Sequence, residues 1–194
     1  MYHKHHTKGI ILSGRNDGDD SKKLSIFTES FGLIYARVQG ARNIHSKLRG
    51  GSQDLSIGEF SLVRGKSGWK LVSAKSIKNI FEIFRYHPEK LKVSVNVLSL
   101  VKKLVAEEDH NSLFVIVSNF LDFLVNADDD SIPLGECLVL LRILHSLGYM
   151  RHDPDFSLPL SSLEIETKDL EAIAPRRLKM IELINESLKA TNLT

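Results

Sequence analysis

The spacing of apolar residues changes once along this chain, near residue 80, and this change constrains the fold more than any other feature. From residue 8 to about residue 77, apolar and polar residues alternate in short runs that glycines interrupt. This period of two is typical of strands with one buried face. Beyond residue 80 the apolar residues recur every three or four positions, as in helices. The sequence therefore predicts an α+β protein, with strands in a domain at residues 1–80 and helices in a domain at residues 81–194.

Five strands are predicted in the first domain, at residues 10–13, 24–28, 33–39, 55–64 and 69–74. The turn signal Asn16-Asp17-Gly18 joins the first two into a hairpin. Because no helix-length pattern interrupts these strands, we expect a small antiparallel barrel rather than a parallel sheet. Alternation along the third strand directs its apolar residues to the core, and directs Tyr35 and Arg37 to the opposite, solvent-exposed face.

Helices are predicted for the second domain at residues 91–105, 113–125 and 133–147. Gly148 is expected to end the third helix, since glycine readily adopts the left-handed conformation that follows many helices. A short helix capped by Thr167 and a last helix that starts at Pro175 complete the prediction.

Charge is divided unevenly between the two domains. Residues 1–80 hold 14 Lys+Arg and 6 Asp+Glu, a net charge of +8, whereas residues 81–194 carry a net charge of −6. Such asymmetry indicates a basic surface with a polyanionic partner. A five-stranded barrel with a basic face suggests an OB-type nucleic-acid module.

Several classes of protein are excluded by what the sequence lacks. The single cysteine, Cys137, cannot form an intramolecular disulfide or a multi-cysteine zinc site, and its apolar neighbours predict a buried thiol in a reducing compartment. Apolar runs are far shorter than the roughly 20 residues that span a bilayer, and the N-terminus lacks the apolar core of a secretion signal, so a cytoplasmic protein is expected.

No motif in the sequence predicts an enzyme or a cofactor. A phosphate-binding GxxxxGK[ST] loop and a GxSxG nucleophile motif are both missing. The histidines at positions 3, 5 and 6 are interpreted as solvated residues rather than metal ligands. The acidic residues at positions 17, 19 and 20 lack the ligand spacing of a calcium loop and are interpreted as a polar turn that steers DNA elsewhere.

Three segments, in order and spacing, resemble the N-terminal domain of RecO, the bacterial DNA repair protein. They are GIILS at residues 9–13, FTESFGL at residues 27–33 and GARNIHSKLRG at residues 40–50. Further along, Leu147-Gly148-Tyr149 resembles the LGY motif that precedes a four-cysteine zinc module in many members. Because no cysteine follows Tyr149, a short, zinc-free member is expected.

The resemblance implies a non-enzymatic mediator of recombinational repair, associated with the nucleoid. Such proteins bind single- and double-stranded DNA, anneal complementary strands, and engage the acidic tail of single-strand-binding protein (SSB). They also join RecR to load RecA onto coated DNA. The alternative is a protein-interaction adapter of the same fold, which binds an SSB tail or RecR but has lost annealing.

Candidate DNA-binding residues lie on the predicted strands and on the loop between the third and fourth strands. The loop contains Arg42, Lys47 and Arg49, together with His45. These cations lie beside glycines that let the backbone approach a phosphate. Tyr35 and Arg37 either stack DNA bases, or Tyr35 only covers its strand or meets the helical domain. Lys70 is the better candidate on the fifth strand, since its neighbour Trp69 must face the other way, toward the core or a domain interface.

The densest group of cations in the helical domain is Arg176, Arg177 and Lys179, at a predicted helix start. Cations there oppose the helix dipole, so this group either binds an acidic partner peptide or is ordinary surface charge. Arg142 and Arg151 are interpreted as scattered surface cations.

Overall fold

Five strands at the start of the chain close into a barrel. They are β1 (Lys4–Asn16), β2 (Lys22–Thr28), β3 (Gly32–Val38), β4 (Ser56–Gly65) and β5 (Gly68–Asn79). The structure is a computed structural model. It describes residues 3–41, 46, 48–108, 110–151 and 153–191, without the side chains of Arg49 and Leu158. The chain divides into a barrel unit, Met1–Leu91 with Val105–Asn111, and a helical unit, Lys92–Leu104 with Ser112–Thr194.

Around the barrel the strands follow the order β1-β2-β3-β5-β4, and β4 pairs with β1 to close it. Neighbouring strands are antiparallel except β3 and β5, which pair in parallel. The five-stranded OB barrel predicted from the sequence is therefore confirmed. Three strands are longer than predicted, since β1 begins at Lys4, β2 begins at Lys22 and β5 continues to Asn79.

The barrel core consists of the inward residues of all five strands. Along β3, Ile34, Ala36 and Val38 are buried whereas Tyr35 and Arg37 are exposed, as alternation predicts. The other principal core residues are Ile11, Leu24, Ile26, Phe60, Leu62, Trp69 and Leu71. Burying one such aliphatic or aromatic side chain stabilises the fold by about 1.5 to 3 kcal/mol.

Rings of three residues pack together at one end of this core. The His5 ring meets Phe31 and Trp69 edge-on, with centroids 5.3 and 5.5 Å away, and the Phe31 and Trp69 centroids are 5.0 Å apart. The prediction that the N-terminal histidines are all solvated is wrong for His5, which is half-buried. The strand starts six residues earlier than predicted, so the period of two already applies at residue 5.

Two short helices belong to the barrel unit. The first, α1 (Leu48–Gly51), lies within the segment predicted as a loop. The second, α2 (Ile80–Phe84), follows β5 and is capped by Asn79, whose side-chain oxygen accepts hydrogen bonds from the backbone N–H groups of Phe81 and Glu82.

Longer helices begin with α3 (Pro88–Leu104), α4 (Asn111–Asn126) and α5 (Ile132–Ser146), each within about three residues of its prediction at either end. As predicted, Gly148 terminates α5. It has a φ of 75°, and the Tyr149 N–H donates to the Leu144 carbonyl at 2.9 Å. Among described residues, no helix is long and apolar enough to cross a membrane.

The last part of the chain forms α6 (Ser157–Ser161), α7 (Thr167–Ile173) and α8 (Arg177–Ala190), with 3-10 turns at Pro154–Phe156 and Ala174–Arg176. Thr167 is the first residue of α7 and not its cap. That position belongs to Glu166, whose backbone N–H donates to Asp169 Oδ2 at 3.2 Å. Pro175 lies within the 3-10 turn at Ala174–Arg176, and α8 begins two residues after it.

Arg142 is almost completely buried in the helical unit, and the prediction of a surface cation is wrong. Its Nε donates to the Pro159 carbonyl at 2.8 Å, and its Nη1 donates to the Glu164 carbonyl at 2.9 Å. Its Nη2 lies 3.5 Å from Asp169 Oδ2. Burial lowers the pKa of Arg142, and Asp169 opposes that shift. The buried guanidinium thus satisfies two backbone carbonyls of the 154–166 segment, those of Pro159 and Glu164.

Cys137 is half-buried, where the sequence predicts a buried thiol. Burial raises its pKa, and the nearby Arg177 lowers the pKa by a smaller amount. The other residues of this helical core share full burial and an apolar side chain. They include Leu138, Leu141, Leu144, Phe156, Ile173, Met180 and Leu183.

Replacing Gly32 with alanine is expected to destabilise the barrel by about 2 to 4 kcal/mol. Gly32 has a φ of 61°, and a Cβ atom there would overlap the backbone carbonyl oxygens of Ala106 and Glu108. Gly40 is the matched control because its φ is 68° and its Cβ would meet open space. Gly40→Ala should cost only about 1 kcal/mol for the left-handed backbone. Urea unfolding measures both, and equal losses would contradict the role of the close contact.

Candidate nucleic-acid interface

Four cations lie opposite one another across four adjacent strands of the barrel, and we call them the cationic row. They are Arg15 on β1, Lys23 on β2, Arg37 on β3 and Lys70 on β5. Directly opposite residues of paired strands project from the same face, with Cβ atoms about 5 Å apart. Lys23 is partly buried and the other three are exposed. The barrel therefore presents a line of positive charge that runs across its strands.

The central part of the row lies in a cleft of about 420 Å³, which we call the barrel cleft. Strands β2, β3 and β5 contribute Lys23, Tyr35, Arg37, Gly68, Trp69 and Lys70 to its lining, and the turns and the 105–111 segment contribute Asp17, Ser67 and Glu107. In OB folds, oligonucleotides bind on the face of strands 2 and 3 and on the loops between strands 1 and 2 and strands 4 and 5. The barrel cleft occupies this face.

Tyr35 presents its ring beside the row. Half of the residue is exposed (50%), and Lys23 Nζ lies 5.7 Å from the ring centroid. An exposed ring flanked by cations is the arrangement that stacks nucleic-acid bases and holds the adjoining phosphates. Base stacking by Tyr35 stays a prediction.

Trp69 forms the floor of the barrel cleft and is only 5% exposed. Its Nε1 donates to Glu107 Oε1 at 3.0 Å, and the same oxygen lies 3.0 Å from Arg64 Nη2. The Arg64 guanidinium is also 5.3 Å from the Trp69 ring centroid. The prediction that Trp69 faces the core while Lys70 faces outward is confirmed.

Asp17 also lies in the barrel cleft, where its Oδ2 is 3.2 Å from Arg37 Nε. The sequence predicts that the acidic turn directs DNA elsewhere. In the structure, the first carboxylate of that turn contacts Arg37 of the row, and the effect of the turn on DNA stays a prediction.

Sequence reasoning misses Arg15 and Lys23 as candidate residues. It starts the second strand at residue 24, whereas β2 starts at Lys22, directly opposite Asn16. Counting back from a five-residue turn at 17–21 would have placed Arg15 opposite Lys23. The missing signal was the length of the turn, which sets the register of a hairpin.

Comparison with protein families matches residues 1–81 to the model described as "Recombination protein O N terminal". The DNA repair protein RecO of Acetivibrio thermocellus is 28% identical over 144 residues, which cover 74% of this chain and 57% of that protein. The RecO of Alkaliphilus metalliredigens is 33% identical over 116 residues, 59% of this chain and 47% of that protein. The RecO of Clostridium perfringens is 29% identical over 143 residues, 73% of this chain and 57% of that protein.

Residues 1–81 thus match the RecO N-terminal family, and the similarity to RecO proteins extends over about three quarters of the chain. The chain spans about half the length of the curated RecO proteins it matches. All the candidate DNA-binding residues lie in the segment that matches the RecO N-terminal domain, whereas the candidate partner-binding residues lie beyond it.

The predicted loop of the RecO-like site is only partly described. Arg42, His45 and Lys47 lie outside the described residues. Arg49 belongs to α1, but its side chain is likewise not described. Of the six candidate DNA-binding residues, the structure brings Tyr35, Arg37 and Lys70 together, and the contribution of the loop stays a prediction.

The candidate partner-binding residues do not form one basic patch. Lys179 Nζ lies 2.8 Å from Asp153 Oδ2 and 2.7 Å from Asp155 Oδ2, and Arg176 Nε is 3.9 Å from the same Asp155 oxygen. The hydrogen bond to Asp153 raises the pKa of Lys179, and the hydrogen bond to Asp155 is the next largest cause of this shift. Arg177 instead hydrogen-bonds Cys137. Binding of an RecR- or SSB-like partner by these residues stays a prediction.

Among the residues that the structure describes, no group of three or more histidine, cysteine or acidic side chains is arranged to hold a metal ion. His5 packs its ring against Phe31 and Trp69.

Proposed function

We propose that this chain is a DNA-binding recombination mediator that acts without enzymatic turnover. In this proposal the barrel binds single- and double-stranded DNA and anneals complementary strands, and the protein helps RecR load RecA onto SSB-coated DNA. The observation that carries the proposal is the cationic row beside the exposed Tyr35 ring in the barrel cleft. Annealing and RecA loading are proposed from the similarity to RecO proteins, which are named DNA repair proteins.

The row provides the electrostatic part of such binding. Each cation that neutralises a phosphate releases a counterion. The logarithm of the binding constant therefore falls linearly with the logarithm of the salt concentration, with a slope of about 0.7 per phosphate for a single strand. The four cations of the row can therefore contribute at most about 2.8 to this salt slope. Phosphates and base faces occur in every nucleotide, so the binding would tolerate any sequence.

The adapter alternative depends on the cations of the helical unit, and the ion pairs described there weigh against it. An acidic peptide would have to displace Asp153 and Asp155 before it reached Lys179 and Arg176. A strand-annealing assay beside a binding assay with an SSB tail peptide separates the two functions. An adapter binds the peptide without accelerating annealing, whereas the proposed mediator does accelerate it.

Lys70→Ala and Tyr35→Ala are expected to weaken single-strand binding in different ways. Lys70→Ala removes one phosphate contact and should reduce the salt slope by about 0.7. Tyr35→Ala removes a stacking surface worth about 1 to 3 kcal/mol and should leave the slope unchanged. Fluorescence anisotropy with a labelled oligonucleotide at several salt concentrations measures both effects.

Lys75 is the matched control for Lys70, because it is an exposed lysine on the same strand that lies outside the barrel cleft. Lys75→Ala should change affinity less than Lys70→Ala. Equal effects would relocate the site from the cleft to the general charge of the barrel. Binding by the unmodified protein that is undetectable or independent of salt would reject the proposed function.

Replacing Arg42, Lys47 and Arg49 together with alanine should weaken oligonucleotide binding and reduce the salt slope by up to about 2. The physical reason is the loss of three cations from a loop next to a barrel whose strand half carries +8. Circular dichroism should show an intact barrel. If the affinity stays unchanged in a folded triple variant, the loop does not belong to the DNA site.

A further inference from the structure

Among the described residues, Arg37 is the member of the cationic row that combines two features. It has a row neighbour on each side, and it forms an ion pair with a carboxylate. Lys23 and Lys70 lie opposite it on β2 and β5, and Asp17 contacts its Nε at 3.2 Å. The side chains of Arg37 and Asp17 are 55% and 46% exposed. An incoming phosphate can therefore reach the pair directly and compete for the guanidinium.

Asp17 is held in position by its own turn. Its backbone N–H donates to the Ser21 carbonyl at 2.9 Å, which closes the connection between β1 and β2. The next residue, Gly18, has a φ of 83°, a conformation that glycine adopts without strain. The carboxylate therefore approaches Arg37 from a closed turn rather than from a freely moving tail.

The second carboxylate in the barrel cleft is committed to other groups. Glu107 Oε1 accepts the Trp69 indole N–H and pairs with Arg64, both at 3.0 Å. Asp17 is thus the cleft carboxylate that faces the row, and it occupies the place where a DNA phosphate would bind Arg37.

We propose that Asp17 is a built-in competitor for the phosphate that binds Arg37, and that it lowers the affinity of the barrel for DNA. This inference rests on the proposed DNA-binding function and adds a residue that sets its strength. When DNA binds, Arg37 exchanges the Asp17 carboxylate for a phosphate oxygen. Because Arg37 is already neutralised before binding, its contact contributes less counterion release than a contact made by Lys23 or Lys70.

Two readouts follow from this exchange. Without the Asp17 carboxylate, single-strand affinity at low salt should rise about two- to fivefold, the range expected for an exposed ion pair. The salt slope should also become steeper by about 0.7, the value for one additional phosphate contact on a single strand. If Asp17 instead positioned Arg37 for DNA, its removal would weaken binding.

The experiment compares Asp17→Ser with Asp20→Ser by anisotropy titration of a labelled single-stranded oligonucleotide over a range of salt concentrations. Asp20 is an exposed acid in the same turn, so its removal changes the net charge equally without removing the carboxylate that contacts Arg37. Both substitutions are repeated in an Arg37→Gln background. Asp17→Ala serves as a second variant if Asp17→Ser alters the thermal melt.

We expect Asp17→Ser to tighten binding more than Asp20→Ser and to steepen the salt slope, and we expect this surplus to vanish in the Arg37→Gln background. Equal effects of the two substitutions, weaker binding by Asp17→Ser, or a surplus that persists without Arg37 would each overturn the competitor role. Those results leave DNA binding by the unmodified protein intact. Absence of salt-dependent binding by the unmodified protein would overturn the proposed function together with this inference.

Discussion

Parallel pairing between β3 and β5 is the constraint on which the barrel and its cleft depend. Two residue pairs make this contact, Ala36 with Trp69 and Arg37 with Lys70. The first pair is buried in the core, and the second is exposed on the surface. Closing the barrel therefore buries apolar surface and, by the same alternation, places Lys70 beside Arg37. Without the closure, β5 would pair only with β4, where Val63 lies opposite Lys70.

The sequence predicts the faces of the strands well and their partners less well, for a physical reason. Which way Tyr35 or Trp69 points depends on a period of two that any short segment carries by itself. Which residue lies opposite Arg37 depends on turn length and on contacts between distant segments. The barrel, the exposed Tyr35 and Arg37, and the inward Trp69 could therefore be predicted, whereas the Arg15–Lys23 extension of the row and the contact with Asp17 required the register.

Cations in the helical unit show a second limit of sequence reasoning. Arg142 and Lys179 are both basic residues on helices, yet one is buried and the other is exposed. Arg142 follows Leu138 by four positions and so shares its inward face, where backbone carbonyls accept its N–H groups. The Lys179 ammonium lies beside the carboxylates of Asp153 and Asp155, at the start of a 3-10 turn. The sequence identifies the charge, but the partner that decides whether the charge is available comes from the fold.

The same distinction applies to the barrel. The attraction of a polyanion from a distance and the strength of the bound complex depend on different quantities. Attraction of a polyanion depends on the summed charge, +8 in the strand half, and one carboxylate changes that sum little. The strength of the bound complex depends on the contacts that each phosphate makes. The carboxylate beside Arg37 affects one such contact. The proposed annealing function requires that DNA be captured quickly and that the product be released. In this proposal, the net charge of the barrel sets the rate of encounter, and the acid beside Arg37 shortens the bound lifetime.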